Sequence, residues 1–221
     1  MSDSSVSSTS GPSGVSIPTP HCQGMAEHPL ADLERARLSA GGHEANDPLS
    51  IHILHGLAYT VGSALGSTPP SKETCLAAFI APNKAGLTAG ARAWSKHSHR
   101  SQKEAPESDA DIDIERGHKK DSRAEANTSG WWGTPSGSVA VINEKALELF
   151  RKVMDGASWQ NLHWLPHQVL IYEIRVPDGY GMRWSQDQSE QMEMTDEPKD
   201  WIFRGFLEPQ MENGHEVGWR H

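Results

Sequence analysis

Apolar residues in the N-terminal half recur with the spacing of amphipathic helices. In "NDPLSIHILHGLAYTVGSALG", leucine, isoleucine and valine return every three or four positions, and Asp47-Pro48 is a typical helix start. Two further periodic stretches meet at Pro82 and Asn83, where the first is closed and the second is capped. The pattern predicts three helices, over roughly 48–65, 71–81 and 83–98.

The C-terminal half changes to the pattern of strands. A short strand or extended lead-in is predicted over 139–142, and Asn143 is expected to cap a helix that ends at Gly156. The stretch 168–176 is apolar and rich in β-branched residues, and "PDG" follows it as a turn. "WIFRGFLEP" resembles a returning strand, and we expect it to pair antiparallel with 168–176.

Two segments have the composition of disordered chain. Residues 1–46 are predicted to be a disordered tail with a short helix, because serine, proline and glycine dominate its first part. Residues 99–130 are charged and poor in large apolar side chains, which predicts a disordered insertion. The remaining residues, 47–98 and 131–221, are expected to form a single α+β domain, with a helical N-terminal half packed against a small antiparallel sheet.

Charge and composition narrow the classes of function. The net charge is −9, which argues against a nucleic-acid binder, since such proteins need a basic footprint. The two cysteines predict reduced thiols, and the first 34 residues contain no lysine or arginine that a targeting segment would need. No apolar run could span a membrane. We therefore expect a soluble cytoplasmic or nuclear protein with neither a membrane nor a nucleic-acid partner.

Candidate site residues follow from alternation along the two strands. Glu173 and Arg175 point to one face of the first strand, whereas Arg204 and Glu208 share a face of the second. Glu173 and Arg204 could lie opposite each other, either as an ordinary cross-strand ion pair or as an anion site in which the glutamate acts as a base.

Two further residues complete the predicted site. Arg183 follows the glycine-flanked turn "GYG", and His215 near the C-terminus is a candidate general base. A zinc site is a weaker reading, because its ligands would have to come from scattered histidines. The histidines considered are His163, His167, His215 and His221.

Three stretches resemble a family of small fungal and plant proteins to which no activity is attached. They are "APNKAGLTAGARAWSKHSHR", "NLHWLPHQVLIYEIRVPDGYGMRWS" and "FRGFLEPQMENGHEVGWRH". The resemblance covers 48–98 and 131–221 and implies a single soluble domain. It assigns no catalytic residue.

These observations favour a polar, aromatic-lined pocket near the C-terminal hairpin that binds or converts a small anionic ligand. Its polar groups would be Glu173, Arg183, Arg204, Glu208 and His215. The alternative is a non-catalytic module that binds a protein partner, because seven of the eight tryptophans follow residue 130. The sequence leaves open whether the protein is an enzyme, whether it uses a cofactor and how it assembles.

Overall fold

The computed structural model describes residues 16–41, 47–97, 130–189 and 199–210. The first 15 residues of the predicted tail, residues 99–129 of the predicted insertion, and His215 lie outside the described residues. Within the described ranges no helix is long and apolar enough to cross a bilayer.

The fold is α+β, as the sequence predicts. In the described ranges, five α-helices precede a four-stranded antiparallel sheet with the strand order β1-β2-β3-β4. The helices are α1 (Leu30–Ser39), α2 (Pro48–Leu54), α3 (Lys72–Ile80), α4 (Ala89–His97) and α5 (Val139–Gly156). The strands are β1 (Trp159–Leu165), β2 (Val169–Arg175), β3 (Gly181–Asp187) and β4 (Ile202–Leu207).

Helix α2 is much shorter than the periodicity predicts. It starts where expected, since the Asp47 side chain accepts a hydrogen bond from Ser50 N at 2.8 Å. It stops because Gly56 takes a positive φ of 70°, and the chain then runs beside β1. Ala58 N donates to Gln160 O at 2.7 Å, and Ala64 N donates to Leu162 O at 2.8 Å. The apolar residues after 56 therefore serve an extended loop along the sheet edge.

Two asparagines predicted as helix caps have other tasks. Asn83 caps a turn that precedes α4, with its Oδ1 accepting from Leu87 N at 3.0 Å. The predicted strand over 139–142 is wrong, because Ser138 caps α5 at that point. Asn143 instead lies inside α5, where its side chain donates to Gly86 O at 2.9 Å and accepts from Thr88 N at 3.0 Å.

The predicted pairing of 168–176 with 201–208 is also wrong. β3 lies between β2 and β4, so Glu173 faces Arg183 on β3 rather than Arg204. A register shift between Arg183 and Trp184 then breaks the alternation along β4. Phe203 and Phe206 consequently pack together with a centroid distance of 5.5 Å. Leu207 pairs with Gly181 and faces the opposite side of the sheet.

The helix-covered face of the sheet forms the main apolar core. Phe79 of α3 sits at its centre, with ring centroids 5.0 Å from Phe150 and 4.7 Å from Phe203. Gly90 of α4 is required there, since a Cβ at this position would overlap the Phe79 ring. We refer below to this side as the helix-covered face and to the other side as the open face.

Two local features bear on the site. Residues 16–41, assigned by sequence to the tail, lie against the folded chain, with His21 N donating to Ser158 O at 2.9 Å and Gln23 N to Pro177 O at 2.8 Å. The β1–β2 turn holds His167 and Gln168 at φ 63° and 57°, a conformation uncommon for residues with a side chain.

Candidate functional site

A row of polar side chains crosses the open face of the sheet. Asn161, Glu173 and Arg183 occupy aligned positions on β1, β2 and β3. His163 and Arg175 lie two residues from this row on β1 and β2, so they share its face. Asn161, Glu173 and Arg175 are all buried, although they are polar. Buried polar groups need partners, and their clustering indicates a site.

These side chains line a cavity of about 280 Å³ on the open face. One part of its wall is polar and contains His163, Glu173 and Arg183. Its apolar lining includes Met25, Trp159 and Leu207, and the last two lie in the same cross-strand row as Arg175. A ligand in this cavity would meet an ionisable region and an apolar region at once.

A buried ion pair fixes the position of Glu173. Arg175 Nε donates to Glu173 Oε1 at 2.6 Å. The same guanidinium donates from Nη1 to the backbone oxygens of Gly179 at 2.5 Å and Glu208 at 2.9 Å. Among the described residues, Glu173 Oε2 has no hydrogen-bond partner. The carboxylate is therefore held at one oxygen and can act through the other.

His163 and Arg183 present their donors to the cavity. Neither side chain has a hydrogen bond within the described part of the chain. Burial lowers the pKa of His163; the charge of Glu173 opposes this shift, and that of Arg183 adds to it. Burial likewise lowers the pKa of Arg183, with Glu173 again opposing and Arg204 and Arg175 contributing by repulsion. An arginine stays cationic in proteins, so the site combines a fixed cation with a titratable imidazole.

The loop beside β1 closes one side of the cavity. Asn161 anchors it, because its Nδ2 donates to Thr60 Oγ1 at 2.9 Å and its Oδ1 accepts from Ser63 Oγ at 3.0 Å. Val61 at the tip of this loop is 95% exposed on the cavity rim. Asn161 thus bonds the loop through both its amide oxygen and its amide nitrogen and has a structural task.

The structure brings together only part of the predicted site. Glu173 and Arg183 line the cavity, whereas Arg204 is exposed on β4 and is not part of the cavity wall. The Glu208 side chain turns to the core, where its Oε1 accepts from Trp132 Nε1 at 2.9 Å. The expected couple of Glu173 and Arg204 is absent because β3 separates their strands. His215 lies outside the described residues.

Sequence reasoning missed two of the main groups, each for a recognisable reason. His163 was considered only as a metal ligand, yet the alternation of "WQNLHWL" places it on the same face as Trp159 and Asn161. The alternation also places Arg175 on the face of Glu173, although it is not among the predicted site residues. In the ranges that the structure covers, no three His, Cys, Asp or Glu side chains are grouped as a metal ion requires.

Comparison with known proteins gives one family match. The model of the CdiA C-terminal tRNase toxin domain matches residues 107–192, which is less than half of the chain. The described part of this range contains α5 and β1 to β3, and with them His163, Glu173, Arg175 and Arg183. No curated protein and no solved structure matches the chain significantly.

This match corrects two expectations drawn from the sequence. The predicted role in binding or converting a small anionic ligand, and its alternative of a non-catalytic protein-interaction module, are both contradicted, because the match points to a nuclease toxin. The expected absence of a nucleic-acid partner is wrong for the same reason. Net charge does not decide this question, since a nuclease needs a local cationic site and not a positive overall balance.

Proposed function

We propose that the chain is an RNA-cleaving enzyme whose active site is the open-face cavity. The observation that carries this proposal is the convergence of His163, Glu173, Arg175 and Arg183 on one concave surface. The match to a tRNase toxin domain supports it, because these four residues all lie within the matched range. The similarity to that domain favours transfer RNA as the substrate.

The arrangement suits attack by the ribose 2′-hydroxyl on its neighbouring phosphate, a nucleophile that RNA has and DNA lacks. A base removes the hydroxyl proton, and the 2′-oxygen forms a bond to phosphorus. The bond from phosphorus to the 5′-oxygen breaks, and that oxygen takes a proton from an acid. The products are a 2′,3′-cyclic phosphate and a free 5′-hydroxyl.

Glu173 is the proposed base and His163 the proposed acid. Glu173 can accept the proton at Oε2 while Arg175 holds Oε1. His163 lies diagonally across the β1–β2 pair, so a phosphate between the two residues could be reached from both sides. Protonated imidazole is a good donor to a leaving oxygen at a pH near or below its pKa.

The arginines provide the electrostatic part of the mechanism. Arg183 lines the cavity, and its side chain donates no hydrogen bond to any of the described residues, so it would stabilise the charge that develops on the phosphate oxygens. Arg175 orients Glu173 and adds positive charge behind it. Arg204, exposed on the neighbouring strand, would bind an adjacent phosphate of the substrate backbone.

The predicted site residues Glu208 and His215 have no direct part in the proposed mechanism. Glu208 would act only indirectly, through the backbone oxygen that receives Arg175 Nη1. His215 as a general base, the resemblance to fungal and plant proteins, and a cytoplasmic or nuclear location all stay predictions.

The test is cleavage of purified tRNA by the purified chain. We expect the wild type to leave 2′,3′-cyclic phosphate ends, and Glu173→Gln to lower kcat by about a hundredfold or more. Glu148→Gln on the exposed side of α5 is the matched control and should keep full activity. A DNA strand of equal sequence should stay intact. Failure of folded wild-type protein to cut tRNA, or full activity of Glu173→Gln, would show the proposal to be wrong.

The pH dependence of activity tests the role of His163 as the acid. With His163 as the acid, activity is present below the pKa of His163 and is lost as the pH rises through it. Because burial lowers that pKa, this loss should begin on the acidic side of the usual histidine value of about 6.5. His163→Asn should remove this arm of the kcat profile. A profile that rises with pH through the same region would assign His163 as the base instead.

A further inference from the structure

The apolar end of the cavity has features that the proposed chemistry does not use. We propose that Trp159, Met25 and Leu207 form a nucleobase subsite, in which the Trp159 indole N–H donates to a carbonyl oxygen of the base. This inference rests on the proposed function and names the part of the RNA that this end of the cavity would recognise.

The indole of Trp159 has an unused donor. Its ring is 3% exposed, and its Nε1 has no hydrogen-bond partner among the described residues. The other buried tryptophans all use theirs: Trp94 donates to Trp132 O at 3.0 Å, Trp132 to Glu208 Oε1 at 2.9 Å, and Trp184 to Cys75 O at 3.1 Å. A buried indole N–H normally has a partner. This one is enclosed as well as unsatisfied, so the cavity wall beside it has to shift for an acceptor of a ligand to reach it.

Met25 reaches the cavity from a tightly fixed turn. Met25 N donates to Cys22 O at 3.3 Å, and Gln23 N donates to Pro177 O at 2.8 Å. Gly24 between them has a φ of 76°, and a Cβ there would lie 2.9 Å from Gln210 O. The turn thus depends on glycine and holds Met25 opposite the sheet. A methionine adapts well to flat aromatic rings, which suits a wall against a base.

The position of this end suits a base attached to the reacting ribose. Trp159 precedes Asn161 by two residues on β1, which corresponds to roughly 7 Å along the strand. Asn161 is aligned with Glu173 and Arg183. A ribose whose hydroxyl faces Glu173 would therefore carry its base to Trp159, while its phosphate lies between Arg183 and His163.

The Trp159 N–H distinguishes the bases by whether they offer a carbonyl oxygen as acceptor. A carbonyl oxygen offers two lone pairs and tolerates a broad range of donor directions, which matches a ring that is fixed in the sheet. Guanine, uracil and cytosine carry such an oxygen. Adenine carries an amino group and ring nitrogens instead, so it should be the least favoured base at this position.

The experiment uses four short RNAs that differ only in the base 5′ to the cleaved bond. We expect the wild type to favour the three bases with a carbonyl. Trp159→Phe keeps the ring and removes the donor, so it should lower kcat/KM about fivefold for these three, mainly through KM, and leave the adenine substrate unchanged. The pH profile should not move. Trp131→Phe, outside the cavity wall, is the matched control and should change neither activity nor preference.

A second pair of variants covers the case in which Trp159→Phe folds poorly. Met25→Ala should raise KM for all four RNAs about fivefold because it removes the wall, whereas Met25→Leu should restore most of the affinity. Equal losses for all four bases in Trp159→Phe, or normal KM in Met25→Ala, would overturn the subsite. If RNA is still cleaved in these cases, the proposed function stands. Failure of the folded wild type to cleave any of the RNAs would remove both proposals.

Discussion

Both faces of the sheet bury side chains, but those of one face are apolar and those of the other are polar or charged. The helix-covered face presents aromatic and aliphatic side chains such as Ile174 and Phe203, which need only close packing. The open face presents Asn161, Glu173 and Arg175, whose burial is tolerable only because each is hydrogen-bonded. The difference teaches that one side of the sheet stabilises the fold, and that this stability lets the other side hold charges in place.

The energetic basis of this division is general. Apolar burial stabilises by about 25 cal/mol per Å² removed from water. Burying a charge costs free energy that a partner only partly returns. We therefore expect substitutions on the helix-covered face to act on stability and those on the open face to act mainly on activity, except where a buried charge loses its partner.

Phe79→Ala should give the largest loss of stability. Phe79 is fully buried and contacts Phe150 and Phe203, so its removal should lower the free energy of unfolding by about 3–5 kcal/mol. Urea denaturation measures this loss. Cleavage by the fraction that stays folded at low temperature should keep its wild-type kcat. A loss below about 1 kcal/mol would mean that the helix-covered face is not the stabilising one.

Arg175→Met tests the case in which a buried charge loses its partner. It leaves Glu173 as a buried, unpaired carboxylate, and we expect a loss of about 3 kcal/mol in the free energy of unfolding. Adding Glu173→Gln should return much of that stability while activity stays lost. If the double variant is no more stable than Arg175→Met alone, then unpaired charge is not the cause, and the lost packing of the Arg175 stem is.

Acidic pH should lower the free energy of unfolding by a smaller amount than these two substitutions do. Burial lowers the pKa of His52, whose Nε2 bonds Ala58 O at 2.9 Å beneath the cavity loop. The unfolded chain takes up this proton below about pH 6.5, whereas the folded chain resists it, so stability falls as the pH drops through that window. The same holds for His163. Urea midpoints at about pH 7.5 and about pH 5.5 measure the decrease.

His52→Gln separates this effect from general acid sensitivity. The variant should show a smaller decrease between the two pH values than the wild type does. The helix-covered face has the opposite dependence, because burial raises the pKa of the Cys75 thiol to about 12 and that of Tyr172 as well. The free energy of unfolding should therefore fall as the pH rises above about 8.5 for Cys75 and about 10 for Tyr172, where these groups ionise in the unfolded chain but not in the folded one. An unchanged acid decrease in His52→Gln would exclude His52 as its source.

Local pattern was sufficient for the fold class but insufficient for the order of the strands. Alternation in 168–176 correctly places Glu173 and Arg175 on one face, since period 2 is a property of the strand itself. Nothing local shows that "GMRWSQD" is a strand between two others, because its pattern mixes polar and apolar residues. The bulge at Arg183 and Trp184 then changes which residues of β4 share a face, and such irregularities depend on tertiary contacts.

Local sequence pattern likewise predicts only part of the candidate site. Glu173 and Arg183 could be selected from their residue types, and the structure places both in the cavity. Met25 could not be connected with them, because it is more than a hundred positions away and belongs to a stretch with the composition of disordered chain. A long-range contact of this kind depends on the folded surface, which composition does not describe.

The β1–β2 turn has a consequence for how exactly this chain must fold. With His167 and Gln168 in the left-handed region, the turn sets the offset that aligns Asn161 with Glu173. One residue inserted there would shift the pairing by a single step and invert one strand relative to its neighbour. His163 would then point among the helices while Glu173 still faced the substrate. A length change of one amino acid in this hairpin should therefore separate the proposed acid from the proposed base while leaving each residue present.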